Sequence, residues 1–172
     1  GKLNVGLQID ESVAGTTEVT DAVTAASDNV AGSVTQQATD GSVSAFKGTV
    51  AELNALLDSE PTLAVGFTAT ITDTGEVAAT VLTALASKTP GLVTAASVTT
   101  LTGTAAEVQA AYVSTPNLQG LGQVAVTVSG TGTVAELNAI DAATTGIVTA
   151  SITETEAVTL ATLADVNSNN VY

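Results

Sequence analysis

The phrase Gly-Thr-Val-Ala-Glu-Leu-Asn-Ala occurs twice without change, at 48–55 and at 132–139. Eight identical residues within 172 mark an internal duplication, which makes the chain a row of related units that share a core. The phrase also states what each unit does locally. Thr followed three residues later by Glu is a capping box: the hydroxyl accepts from the Glu amide, and the carboxylate accepts from the Thr amide. Behind the second copy, Val134, Leu137 and Ile140 recur at helical spacing.

Around that second copy the unit is complete. Val124, Val126 and Val128 alternate with Ala125, Thr127 and Ser129, the period of a strand with one buried side. Gly146 stops the helix, and Ile147, Val148, Ala150 and Ile152 open the next strand. Strand, Thr cap, helix and turn is therefore the predicted order. Five caps fit it: Thr49 with Glu52, Asp73 with Glu76, Thr104 with Glu107, Thr133 with Glu136, and Thr153 with Glu156. They are spaced by 24, 31, 29 and 20 residues. Each comes after an alternating stretch, at 43–47, 67–71, 92–101, 124–128 and 148–152. The uneven spacing predicts uneven rungs, with insertions in the loops that carry Pro61, Pro90 and Pro116.

Strand-helix-strand passes cross over right-handed and leave neighbouring strands parallel. Alternation along the strands leaves one face for helices and the other for solvent. The expected fold is α/β: repeated strand-helix units forming a two-layer, solenoid-like array with a mainly parallel sheet and helices on one face, one continuous domain over 43–172. Residues 1–42 depart from it. Leu3, Val5, Leu7 and Ile9 alternate as a strand, either an ordinary first strand or one that pairs with a neighbouring molecule's open edge. Val19, Ala22, Val23, Ala26, Val30 and Val34 form a helical stripe that predicts one or two helices. This segment is expected to be a cap or an assembly element.

What the chain lacks narrows its chemistry. It has no Cys, His, Met, Trp or Arg, and its only cations are Lys2, Lys47 and Lys88. That removes Ser-His and Cys-His nucleophile pairs, thiolate and imidazole metal sites, and disulfides. An enzyme is not expected. A formal net charge of -14 argues against nucleic acid, which needs clustered Lys and Arg. No apolar run reaches the length of a membrane span, so membrane insertion is not expected. With Phe46, Phe67, Tyr112 and Tyr172 as the only aromatics, the core must be built of aliphatic side chains and Thr methyls. The 31 threonines suit strands with a polar open face. No cofactor is expected, with calcium left open as an ion that an acidic exterior could collect. Asp165, Asn167 and Asn169 place oxygens at alternate positions, as calcium loops do. They lack the loop's Gly and distal Glu, and a polar tail explains them as well.

Three stretches carry a resemblance: Ile71-Thr-Asp-Thr followed by Val77-Ala-Ala-Thr-Val-Leu, the duplicated phrase beginning at Gly48, and Thr145-Gly-Ile-Val-Thr-Ala-Ser-Ile-Thr-Glu-Thr. Together they resemble tandem repeats of giant adhesin-like or surface-layer-like proteins of aquatic bacteria, including cyanobacteria. The resemblance covers about 43–165 and leaves 1–42 unmatched. It implies an extracellular, cell-surface location and a scaffold or adhesive role, frequently alongside calcium. The expected function is a non-enzymatic structural segment of a bacterial surface layer or filament, forming a homo-oligomer or polymer through strand edges. The alternative is an adhesion or ligand-binding repeat module of a large secreted protein, with calcium dependence as an option.

Overall fold

The computed structural model describes residues 17–21, 34–39, 43–59, 68–166 and 169–172. The strand expected at Leu3, Val5, Leu7 and Ile9 lies outside them. Ten strands and five α-helices are described. In chain order they are β1 (Thr17–Asp21), β2 (Val34–Thr39), β3 (Val43–Gly48), α1 (Val50–Ser59), β4 (Thr68–Ile71), β5 (Gly75–Ala78) and α2 (Ala79–Ser87). Next come β6 (Val93–Thr94), β7 (Val98–Gly103), α3 (Ala105–Gln109) running into a π turn at Ala110–Ser114, β8 (Leu118–Gln119), β9 (Ala125–Gly132), α4 (Val134–Asp141), β10 (Val148–Ile152) and α5 (Ala157–Leu160).

The fold is α/β with two mainly parallel sheets where one was expected. A six-stranded sheet runs β1-β2-β3-β4-β6-β8, and a four-stranded sheet runs β10-β9-β7-β5. All pairs are parallel except β1 with β2 and β2 with β3. The split arises inside the alternating stretches. Residues 92–101 form two short strands around a corner, closed by Val98 N–H donating to Ala95 O at 3.2 Å. The next unit repeats the corner, with Val124 N–H donating to Leu121 O at 3.1 Å. There the two units touch closely: a Cβ at Gly120, whose φ is +92, would stand 2.7 Å from the Ala96 nitrogen. Only glycine fits such an approach. Three units thus read strand, corner, strand, helix: β4-β5-α2, β6-β7-α3 and β8-β9-α4.

The rungs are also more even than the caps suggested. Val77 pairs with Leu101, Leu101 with Val126, and Val126 with Val148, which are steps of 24, 25 and 22 residues. In the other sheet Ala69 pairs with Val93 and Val93 with Leu118, steps of 24 and 25. Cap spacing varies because helices start at different distances beyond the strand. Gly103 ends β7 opposite Val128, whereas β9 continues through Gly130, at φ +75, to Gly132.

The helices expected between Thr17 and Thr39 are corrected at both ends, where β1 and β2 pair antiparallel and β2 pairs with β3. Val and Thr are β-branched and fit a sheet once an edge is available; the edge of β3 supplies it. Residues 22–33 lie outside the described residues.

The core is set by the register. Val77, Leu101, Val126 and Val148 form one buried column and Ala69, Val93 and Leu118 another. Leu53, Leu82, Leu85, Val108, Leu137 and Ile140 meet them from the helices. Helices of 5 to 10 residues, as α1 to α4 are, are marginal alone in water, so this docking is what keeps them folded.

Candidate functional site: the joints between units

The polar side chains that sequence reasoning singled out gather where one unit meets the next. Three capping boxes form as expected. At Thr133 the backbone N–H donates to Glu136 Oε2 at 2.9 Å, and Glu136 N–H donates to Thr133 Oγ1 at 3.2 Å. The same reciprocal pair joins Thr49 with Glu52 at 2.8 and 3.3 Å, and Thr104 with Glu107 at 2.8 and 3.3 Å. At Glu136 the Thr133 amide, and then the Thr133 hydroxyl, hold the carboxyl below its ordinary range.

The other two expected boxes are corrected. Gly75–Ala78 is strand β5, and α2 starts at Ala79 with no side-chain cap. Asp73 instead reaches back to the previous helix, where its Oδ2 accepts from Val50 N–H at 2.8 Å. Likewise α5 starts at Ala157 without a side-chain cap, and Glu154 accepts from Val134 N–H at 3.0 and 3.1 Å. The strand before each carboxylate is fastened the same way: Thr72 N–H donates to Gly48 O at 2.9 Å, and Thr153 N–H to Gly132 O at 3.0 Å. Each duplicated phrase is therefore half of a joint completed by the following unit. Orphan amides at a helix start accept such carboxylates readily because the helix dipole favours negative charge there.

Asparagines, to which no motif in the sequence pointed, make further joints. Asn117 Nδ2 donates to Ala86 O and Thr89 O at 2.8 Å and to Gly91 O at 3.1 Å, tying the end of α2 to the unit two strands on. Asn138 Nδ2 donates to Thr162 O at 2.9 Å while its Oδ1 accepts from Ala164 N–H at 2.7 Å. Asn170 bridges Val148 N–H at 2.8 Å and the buried Asp141 carboxylate at 2.6 Å. Asp141 also accepts from Val166 N–H at 3.0 Å. Burial first, and then repulsion from Asp141, push the Tyr172 phenol up. The Tyr112 phenol is raised chiefly by burial and donates to Leu121 O at 3.2 Å. No pattern in the sequence pointed to this cluster, in which Asp141, next after Ile140, is buried.

For the calcium candidate, Asp165 Oδ1 accepts from Asn169 N–H at 3.1 Å and Asn170 N–H at 3.4 Å. Asn167 lies outside the described residues. No group of three or more acidic side chains converges among the described residues. An open groove of about 500 Å³ between α2 and the π turn is lined by Thr80, Thr83, Ser87, Ser114, Thr115 and Asn117 among others, with no ionisable group. Among the described residues no helix is long and apolar enough to cross a membrane. Compared with family models, curated proteins and solved structures, the chain matches none.

Proposed function

We propose that this chain is a non-enzymatic structural segment of an extracellular bacterial surface protein, its units stacked as a solenoid-like array that self-associates through strand edges into a layer or filament. The joint is the observation that supports this reading most. Glu52, Asp73, Glu107, Glu136 and Glu154 all face backbone amides at helix starts, where they hold structure. A chain without His or Cys has few other groups with which to perform acid-base or nucleophilic chemistry.

Light scattering after size-exclusion chromatography, at several protein concentrations and with or without calcium, tests the reading. Large species that grow with concentration are expected, and a requirement for calcium would put the ion at the contact. A monomer under every condition overturns self-assembly. The second reading, an adhesion module, draws on one feature: Thr102, Thr127 and Thr149 stand in register across three strands of the four-stranded sheet, the last two exposed.

A further inference from the structure

The groove between α2 and the π turn is lined by polar side chains already spent as donors. Thr83 Oγ1 donates to Thr80 O at 3.1 Å and Ser87 Oγ to Ala84 O at 2.8 Å, both within α2. On the opposite wall Thr115 Oγ1 donates to Ala110 O at 2.9 Å, and Asn117 Nδ2 gives its hydrogens to Ala86 O, Thr89 O and Gly91 O. What the three hydroxyls still offer is lone pairs, since a hydroxyl has one donor and two acceptor sites. Ala84 and Pro116 add exposed apolar surface between them. The volume of about 500 Å³ falls within the range of small-molecule sites. π turns are rare and are frequent at functional sites, and this one ends at the groove, where Ser114 lines it.

Acceptors with few donors and no charge select a ligand by exclusion. An anion would face mostly lone pairs. An ammonium or guanidinium would find oxygens but, among the described residues, no carboxylate on the lining to offset its lost hydration. A peptide strand brings a carbonyl with nearly every N–H, and those carbonyls would lack donors. A sugar ring brings several hydroxyls that donate into the groove while their own lone pairs stay in water on the open side, and its C–H edges cover apolar surface. We propose that this groove binds a neutral saccharide, its ring hydroxyls donating to the oxygens of Thr83, Ser87 and Thr115 and its C–H surface lying against Ala84 and Pro116. This rests on the adhesion reading and gives it a ligand class, at a site apart from the threonine row of the four-stranded sheet. One ring binds weakly, with Kd about 1 mM or above. Firm adhesion comes from many copies engaging together.

Amide chemical shifts of the isotope-labelled full chain test this during titration with methyl glucoside, methyl galactoside and methyl mannoside, with glucosamine and glucuronate as charged comparators. Saturable shifts are expected at Thr83, Ser87, Ser114 and Thr115 with at least one neutral glycoside, and weaker ones with both charged sugars. Thr83→Val and Ser87→Ala each remove one acceptor from the exposed side of α2 and should weaken binding by about fivefold. Circular dichroism and the denaturation midpoint check that both variants keep the fold. Binding unchanged in both variants, or a charged sugar preferred over every neutral one, overturns the proposal. Shifts that gather instead at Thr102, Thr127 and Thr149 overturn the groove and leave the adhesion reading standing on its threonine row. No saturable shift anywhere in the chain removes the groove site and leaves the adhesion reading without a saccharide ligand.

Discussion

The two copies of Gly-Thr-Val-Ala-Glu-Leu-Asn-Ala start α1 and α4, and their long-range partners diverge at the seventh residue. In both, the Thr-Glu box closes and a carboxylate from the next unit takes the first helical amide. In both, the Leu is fully buried. The asparagines part company. Asn138 clamps Thr162 and Ala164, whereas Asn54 donates to Val50 O at 3.1 Å within its own helix and its buried Oδ1 has no partner among the described residues. The neighbouring unit makes the difference. α5 is 4 residues long and the chain turns back beside Asn138, while α2 runs for 9 residues and Asn117 takes the carbonyls after it. An identical phrase thus fixes local structure, and its long-range partners are set by the unit stacked on it.

The largest expected effects test how alike the copies are. Leu53→Ala and Leu137→Ala should each cost about 2–5 kcal/mol in chemical denaturation, and by similar amounts. A gap of several kcal/mol would mean that one copy is embedded less firmly than the other. The asparagines should break the likeness. Asn138→Ala strands a carbonyl and an amide that the clamp satisfied and should cost about 1–3 kcal/mol. Asn54→Ala removes an oxygen with no partner among the described residues and one bond within its own helix, and should be near neutral. Equal losses at both positions would show that Asn54 has a partner the geometry does not reveal.

How much of this could be read in advance depends on how far each interaction reaches. The boxes at Thr49, Thr104 and Thr133 were legible because cap and carboxylate are three residues apart and a helical stripe comes directly after them. Asp73 and Thr153 carried the same local pattern, but Asp73 and Glu154 serve amides 23 and 20 residues earlier, a distance at which pattern is silent. The corner at Ala95, Ala96 and Ser97 has neither Gly nor Pro to announce it, so two strands in different sheets read as one. Val and Ala between Thr17 and Thr39 fit a helical period as well as a strand, and the edge of β3 decided between them. The parallel pairing and the aliphatic core were legible, since they need only alternation and helix-length spacers.

The smallest effects sharpen the comparison at the helix starts. Thr49→Val and Thr133→Val each delete a cap while keeping the shape, at about 1 kcal/mol. At the second copy the hydroxyl does one thing more, donating to Glu136 Oε2 at 2.8 Å. Together with the Thr133 amide it holds the Glu136 carboxyl below its ordinary value. A group depressed in the folded state adds stability that is present above its unfolded pKa and is lost as pH falls through the folded one. Stability should therefore decline from about pH 5 downward, partly through Glu136. Glu136→Gln should flatten that decline slightly, and Thr133→Val should flatten it as well as lower the plateau. Denaturant midpoints measured at half-unit steps between about pH 6 and 3 would separate the two, and an acid slope unchanged in Glu136→Gln would place the linked proton elsewhere.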